Sequence, residues 1–230
     1  MWFKNKNAEL VAICDKDKKK ESIIKGYDKN IRFYTDAKKM LLELKPKIVS
    51  IATWKDTHFK FCKICINAGI KTIVLEKPLA NTLKQSKDII KLIKKNKVKV
   101  IVNHRRRFDT EVIKLKNIIK KKEIGNIKQV TCYYVYGLLT TGTHLVDTIR
   151  MLLNDIAGEV ISVIGFKNSN KDFTPFDDPN HDAILFFKNG LKVFVQSLNM
   201  KNYDIFDFYF YGTKGKILFT EIGRAAYRYN

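Results

Sequence analysis

The sequence lacks any long apolar run. No stretch approaches the roughly 18 consecutive apolar residues that a membrane-spanning helix needs. The opening residues, Met1 to Asn7, hold no apolar stretch of signal-peptide length. These absences predict a cytoplasmic protein with no membrane partner. Hydrophobic residues still make up 45% of the 230 residues, which is enough for the core of one large domain or two modest ones.

Cysteine is scarce, with four residues in the chain: Cys14, Cys62, Cys65 and Cys132. Cys62 and Cys65 have C-x-x-C spacing, but they fall in a predicted helix, and no second pair or histidine follows at zinc-ligand spacing. In a cytoplasmic compartment such thiols stay reduced, and a free cysteine packs as a small apolar residue. The sequence therefore predicts neither a metal site nor a disulfide.

Arginine is also rare. The net charge is +21, yet only seven of the 44 basic residues are arginine, the residue best suited to phosphates and base edges. The lysines alternate with isoleucine and asparagine, and on a helix this pattern turns isoleucine inward and lysine to water. We therefore predict a solvated basic surface and no specific nucleic-acid partner. A protein that binds nucleic acid by charge alone is the rival, and it would show a steep salt dependence of DNA affinity.

The first half of the chain alternates between apolar runs and helical segments. Strands are predicted over 9–14, 31–34, 48–52, 71–75 and 98–102, and helices over 17–29, 37–44, 56–67 and 83–96. Such alternation is typical of a parallel, doubly wound α/β sheet.

The second half changes character near residues 105–109. Helices are predicted over 111–122 and 144–153, a polar loop over 167–180, and strands over 128–136, 160–166, 183–187, 191–198, 205–211 and 216–220. Lys188-Asn189-Gly190 predicts a hairpin, because Asn-Gly accepts the positive φ of a type I′ turn.

Two domains follow from this change. We predict an α/β domain over 1–105 and an α+β domain with a mostly antiparallel sheet over 106–230. An antiparallel sheet with one uncovered face often pairs with a copy of itself, so a homo-oligomer is expected.

The segment with the most chemistry is Ile73 to Leu79, which reads as a buried strand ending on an acid, a base and a proline. Pro78 bars the residue before it from helical angles, so Lys77 is held extended at the carboxyl end of the strand. Ligands of open α/β sheets bind at that end. A lysine fixed there and partly desolvated can shuttle a proton. An ordinary strand-to-turn junction is the alternative interpretation.

A second candidate pair lies on the predicted helix of the later half. His144 and Asp147 are three residues apart and share a helix face. The acid can orient the histidine, or both can reach one substrate. Gly142, just before them, would let the backbone approach a ligand closely. A helix-terminal pair that faces water is the alternative.

Taken in order, five segments resemble the glucose–fructose oxidoreductase / inositol dehydrogenase family. They are residues 8–15, 49–53 with His58, 76–78, 104–108 and 142–147. The resemblance implies an incomplete Rossmann-like dinucleotide-binding domain over 1–105 and a substrate and oligomerisation domain over 106–230. It also implies an oxidoreductase that acts on a hydroxyl or keto carbon of a sugar, nucleotide sugar or cyclitol. NAD is the implied cofactor, with NADP as the alternative.

The resemblance also implies roles for individual residues. The implied catalytic residues, which would converge on one cleft beside the nicotinamide, are Lys77 and His144. The implied substrate-binding residues are Asp147, Thr140 and Arg107. The implied cofactor-binding residues are Asp15, Thr53, Trp54, His58 and Glu76. Asp15 would bind the adenosine ribose, and Glu76 the nicotinamide ribose.

Some of these assignments have alternatives. Asp15 can also be an ordinary surface acid, and the lysines at 16 and 18–20 can soften a preference against NADP. Trp54 either stacks on a ring or caps the core. His58 either contacts the cofactor or satisfies local backbone at a helix start.

Two departures from the family pattern stand out. The family often places an aspartate four residues before the histidine, where this chain has Thr140, which cannot serve as a base near neutral pH. The family also opens with a strand, a G-x-G-x-x-G loop and a helix, whereas this chain opens near the end of that helix and contains no such loop.

The missing strand is central in the order 3-2-1-4-5-6. The sheet is therefore expected to close up, to recruit another strand or to belong to a longer chain. The rival function is a binding or interaction protein that keeps the fold without binding a cofactor.

Overall fold

The computed structural model describes residues 5–167, 178–199 and 204–220, and the backbone of 225–229. It divides into two compact units, Met1–Asn103 (unit 1) and His104–Asn230 (unit 2). The sequence placed a domain boundary two residues later, and the roles assigned to the two domains stay predictions. Among the described residues, no helix is both long enough and apolar enough to cross a membrane.

Unit 1 alternates parallel strands with helices. Its strands are β1 (Ala12–Cys14), β2 (Arg32–Tyr34), β3 (Ile48–Ile51), β4 (Thr72–Glu76) and β5 (Lys99–Asn103). Its helices are α1 (Lys20–Tyr27), α2 (Ala37–Leu44), α3 (Lys55–Asn67) and α4 (Leu83–Asn96). Helices α2 and α4 have the predicted bounds because local caps define them. Asp36 accepts hydrogen bonds from two amides of α2, and Thr82 accepts one from α4.

The parallel strands of unit 1 form two sheets rather than one. Strand β1 pairs with β2, while β3, β4 and β5 form a separate sheet with β4 at its centre. Over the described part of unit 1, no ladder joins these sheets, so the expected closing up or recruitment of a strand is not seen. Ile73 and Leu75 of β4 are fully buried, as the apolar run predicted.

Unit 2 begins with a short 3-10 helix, Arg105–Phe108, followed by helix α5 (Thr110–Lys120) and strand β6 (Ile127–Tyr134). A π-helical turn, Leu138–Gly142, runs directly into α6 (Thr143–Ala157). The remaining strands are β7 (Val160–Lys167), β8 (His181–Phe187), β9 (Lys192–Ser197), β10 (Phe206–Gly212), β11 (Lys216–Thr220) and β12 (Ala225–Tyr229).

These strands make one seven-stranded sheet in the order β12-β11-β10-β6-β9-β8-β7. Every neighbouring pair is antiparallel except β6 and β9. Along β10 the side chains of Phe206, Phe208 and Phe210 enter the core, since alternate residues of a strand share a face. Apolar residues of α5 and α6 belong to the same core cluster. The predicted mostly antiparallel sheet is confirmed.

Three details differ from the sequence prediction or escape it. The β8–β9 loop has positive φ at Gly190 (88°) and not at Asn189, so it is a three-residue loop with a left-handed glycine instead of a type I′ turn. Strand β12 was not predicted, because its alanines have low strand propensity. The predicted polar loop at 167–180 lies mostly outside the described residues.

Helix α3 generates a prediction about its two thiols. Cys62 and Cys65 are both buried. Burial raises the pKa of Cys62 to about 11 and, with a smaller effect from Cys62, that of Cys65 to about 12. We expect iodoacetamide at mildly alkaline pH to leave both thiols unmodified in the folded protein and to alkylate both in urea, as read by peptide mass spectrometry. Fast alkylation of either thiol in the native protein would contradict the buried placement.

Candidate active site

The residues predicted to bind a cofactor lie where parallel strands of unit 1 end. Asp15 directly follows β1, Thr53 lies just beyond β3, and Glu76 is the last residue of β4. The register aligns the ends of β3, β4 and β5, with Glu76 opposite Asn103. Ligands of open parallel sheets bind outside this edge.

Asp15 is paired with a nearby lysine. Its Oδ2 accepts a hydrogen bond from Lys20 Nζ at 2.6 Å, and its Oδ1 accepts one from the Asp17 amide at 3.0 Å. The Lys20 hydrogen bond, followed by the Asp17 amide, lowers the pKa of Asp15. The pair is partly exposed, so it adds little to stability. Its effect is to place a cation beside the acid at the end of β1.

His58 connects two segments of backbone. The ring is fully buried, with Nδ1 2.7 Å from the Pro78 carbonyl oxygen and Nε2 2.9 Å from that of Thr53. Carbonyl oxygens only accept, so a ring nitrogen that carries a proton donates to the carbonyl that faces it. Of the two roles that the sequence left open, this geometry is the backbone-satisfying one. The ring is turned to the protein itself, so a direct cofactor contact is replaced by the positioning of Thr53 and Pro78.

Trp54 and Thr53 lie at the start of α3. The Trp54 side chain is 67% exposed, so the indole does not cap the core. The Trp54 carbonyl accepts hydrogen bonds from the amide and the hydroxyl of Thr57, and the Thr57 and Thr53 hydroxyls are 2.7 Å apart. The exposure rules out the core-capping role of Trp54, and its stacking on a ligand ring stays a prediction.

Glu76 and Lys77 occupy the end of β4. Asn103 Nδ2 donates a hydrogen bond to Glu76 Oε1 at 2.6 Å, across the ladder from β5. Sequence reasoning missed Asn103, because its place opposite Glu76 appears only with the register. Lys77 follows, partly buried, and joins Pro78 by a cis peptide bond.

Two of the predicted residues of unit 2, Arg107 and Asp147, form a charged cluster together with His104 and His144. Arg107 binds Asp147 in a bidentate ion pair, with Nε 2.8 Å from Oδ2 and Nη2 2.7 Å from Oδ1. These hydrogen bonds raise the pKa of Arg107. Asp147 Oδ2 is also 3.7 Å from His104 Nδ1, and the His104 ring meets the His144 ring edge-on at 5.8 Å. Both Asp147 oxygens thus engage Arg107, and His104, which was not predicted, links the ion pair to His144.

Thr140 and Gly142 lie in the π-helical turn before α6. The Thr140 hydroxyl donates to Asp178 Oδ2 at 2.7 Å, and its amide donates to the same oxygen at 2.6 Å. A Cβ on Gly142 would approach Leu138 Cδ1 to 2.9 Å and the Tyr134 ring to 3.2 Å. The protein's own side chains therefore fill the space into which a Gly142 side chain would project, and the approach of this backbone to a ligand stays a prediction.

Parallel strands that alternate with helices and carry Asp15, Thr53 and Glu76 at or just beyond their carboxyl ends are typical of dinucleotide-binding α/β folds. Residues 1–104 match the model of a family described as an oxidoreductase family with an NAD-binding Rossmann fold. This part, somewhat less than half of the chain, is similar to that family. The recognition made from the sequence is confirmed, as is NAD as the cofactor of the family.

Two relatives show the extent of the likeness. The chain is 26% identical over 207 residues to the uncharacterised oxidoreductase YhhX of Escherichia coli K12. This match covers 82% of the present chain and 57% of that protein. It is 27% identical over 160 residues to inositol 2-dehydrogenase of Salmonella agona, covering 64% of this chain and 47% of the relative. The chain thus spans less than two thirds of the length of either relative.

Solved structures agree on the fold. A putative NADPH-dependent oxidoreductase from Desulfitobacterium hafniense superposes with a TM-score of 0.82 at 22% identity, covering 95% of this chain and 67% of that one. The WlbA dehydrogenase from Bordetella pertussis, crystallised with NADH and UDP-GlcNAcA, gives 0.80 at 19% identity, covering 94% and 67%. The predicted fold, a Rossmann-like parallel domain followed by a mostly antiparallel sheet, is confirmed.

The loop before the π-helical turn generates a prediction. Gly137 has a φ of 85°, and a Cβ there would run into the carbonyl and carboxyl groups of Asp178. We expect Gly137→Ala to lower the free energy of unfolding by about 1–3 kcal/mol, since strain and clash add. Gly165→Ala is the matched control, because the nearest atom to its Cβ is 3.9 Å away. Urea unfolding measures both, and equal stability of the two variants would contradict the close approach of Asp178.

Proposed function

We propose that the protein is a nicotinamide-dependent oxidoreductase that acts on a hydroxyl or keto carbon of a sugar, nucleotide sugar or cyclitol. The observation that carries the proposal is the end of β4, where Asn103 holds Glu76 and Lys77 follows at the ligand-binding edge. One relative is named for inositol, and one structural neighbour was crystallised with UDP-GlcNAcA. Both are polyhydroxylated compounds, which supports this substrate class.

Unit 1 offers acceptors for both ribose groups of a nicotinamide dinucleotide. Asp15 is the proposed acceptor for the adenosine ribose and Glu76, steadied by Asn103, for the nicotinamide ribose. Because the sequence contains no G-x-G-x-x-G loop, no residue is assigned to the pyrophosphate. When bound, the cofactor accepts or supplies the hydride. Lys20 offsets part of the Asp15 charge, so we propose NAD with a weakened preference against NADP.

The chain's own side chains handle the proton. Lys77 is proposed to hydrogen-bond the reacting oxygen of the substrate and to assist its proton transfer. His144 is proposed as the second acid–base group or substrate ligand. Arg107, whose side chain is 50% exposed, is proposed as a substrate contact together with Asp147 and Thr140. The bidentate ion pair keeps the Arg107 guanidinium in one orientation.

This assignment generates a kinetic prediction. With a polyol or nucleotide-sugar panel and NAD, we expect Lys77→Met and His144→Asn each to lower kcat by about 10²–10⁴, the usual contribution of general acid–base groups. Thr140→Ala is expected to raise KM without abolishing kcat. Lys71→Met is the matched control, since Lys71 precedes the amino end of the same strand. Equal loss of kcat in all four variants would show that the assigned roles are wrong.

The rival function, a binding protein without cofactor, has two observations in its favour. The parallel strands lie in two separate sheets, and the sequence contains no Gly-rich loop. Titration of NADH and NADPH, followed by nucleotide fluorescence, separates the two functions and also measures the cofactor preference. A folded protein that binds neither nucleotide at millimolar concentration would favour the rival.

We further propose that unit 2 self-associates through the open face of its sheet. Helices α5 and α6 contribute to the core on one face. On the other face, the register aligns an apolar row across five strands, which consists of Ile164, Ile184, Phe194, Thr131 and Tyr209. Ile164 is 48% exposed. An apolar face of this extent is typical of a surface that is covered in an assembly.

The oligomer proposal is tested by a charge placed in that row. Ile164→Lys is expected to convert the assembly into monomers, because a lysine there would be buried without a partner in the interface. Ile101→Lys is the control, since Ile101 is 55% exposed and lies in unit 1. Light scattering after gel filtration measures the mass. A wild-type monomer, or an Ile164→Lys variant with the wild-type mass, would contradict the proposal.

A further inference from the structure

Residues 178–180 bind the backbone amides at the start of the helical segment that leads to His144. Backbone amides at the start of a helix lack partners within the helix itself. Here four successive amides donate to residues 178–180, namely Gly137 to Asn180 Oδ1 (2.9 Å), Leu138 to the Pro179 carbonyl (3.2 Å), Leu139 to Asp178 Oδ1 (3.0 Å) and Thr140 to Asp178 Oδ2 (2.6 Å). The π-helical turn and α6 therefore begin at a position set by a distant part of the chain.

Asp178 is the charged member of this segment, and it is buried, with 2% of its surface exposed. Burying a carboxylate is costly unless hydrogen bonds compensate it. The Asp178 carboxylate accepts three, from the Leu139 amide and from the amide and hydroxyl of Thr140. The positive end of the helix dipole adds to this stabilisation. Because the amides are taken, this helix start cannot also hold a phosphate group of a ligand.

The segment binds Thr140, which lies in the turn before the helix of His144. Thr140 lies four residues before His144, one helical turn away, and two of its groups donate to the same Asp178 oxygen. Thr140 itself carries no charge. Asp178, which is 38 residues further along the chain, thus brings a carboxylate to the turn that precedes the histidine.

We propose that Asp178 is a positioning residue for His144, acting through Thr140 to fix the start of the helix and to place a negative charge one turn before the imidazole. The proposal rests on the proposed function, in which His144 is an acid–base group. The other charged or titratable side chains of the same cluster are His104, which meets the ring edge-on, and the Asp147–Arg107 ion pair.

Unit 2 contains a second contact of the same chemical kind as that between Asp178 and Thr140. Asp182 Oδ1 accepts hydrogen bonds from the amide and the hydroxyl of Ser197, at 2.7 Å and 2.6 Å. These bonds join the start of β8 to the end of β9, and neither of them goes to residues 137–140. Asp182→Asn therefore makes the same chemical change as Asp178→Asn and removes none of the hydrogen bonds between residues 178–180 and the amides of 137–140.

The test compares Asp178→Asn, Asp182→Asn and the wild-type full-length chain. Urea unfolding is expected to show comparable losses of stability in the two variants. NMR titration of the histidine rings, with His144 assigned by its loss in His144→Asn, is expected to show a lower pKa for His144 in Asp178→Asn alone, because a nearby carboxylate favours the imidazolium. We expect kcat to fall by at least about tenfold in Asp178→Asn only, less than the loss of an acid–base group itself.

A wild-type measurement covers the case in which Asp178→Asn fails to fold. The ¹³Cγ shift of Asp178 is expected to show an inflection at the pH where the His144 ring titrates. The positioning role is overturned if that inflection is absent, if His144 titrates alike in all three proteins, or if Asp178→Asn keeps the wild-type kcat. Absent turnover in the wild-type protein would instead refute the proposed function, and the NMR titrations would still decide whether Asp178 and His144 are coupled.

Discussion

Buried hydrogen-bonding groups have to find partners inside the protein, and the candidate site is built on that constraint. The imidazole of His58 meets two backbone carbonyls and so ties the end of β3 to the turn after Lys77. The carboxylate of Asp178 and the amide oxygen of Asn180 meet the amides that open the helix of His144. In both units, the backbone around a proposed acid–base group is held by a buried polar side chain that is not itself proposed to react.

The direction of the strands explains where the polar groups of unit 1 lie. Parallel strands of one sheet that follow one another through helices end at the same edge, so Thr53 after β3 and Glu76 at the end of β4 need no sequence proximity to share an environment. Along β4, the neighbouring strands cover the backbone on both edges. This cover ends at the carboxyl end of the strand. Chemistry at the end of β4 is therefore a consequence of topology, and the side chains decide which chemistry it is.

Much of the fold could be predicted because its signals are local. Asp36 and Thr82 cap helices whose bounds the sequence predicted, and the alternation of phenylalanine along β10 marks a strand with one buried face. The separation of the parallel strands into two sheets is set by ladders between segments far apart in the chain. Strand β12 is held by its pairing with β11 and carries weak signals of its own. The type of turn at Gly190 depended on the strands that it joins.

The residue types at the site could be recognised in the sequence, because their patterns extend over only a few residues. One pattern is an acid, a lysine and a proline after an apolar run, and the other is a histidine and an acid on one helix face. The partners of these residues could not be recognised in this way. Each contact with such a partner joins segments that are far apart in the sequence and meet only in the folded chain. They are the contacts of Asn103 with Glu76, His104 with His144, Arg107 with Asp147 and Asp178 with Thr140. Short-range order follows from propensity and periodicity, whereas long-range hydrogen bonds follow from strand register and helix packing, which are properties of the folded molecule.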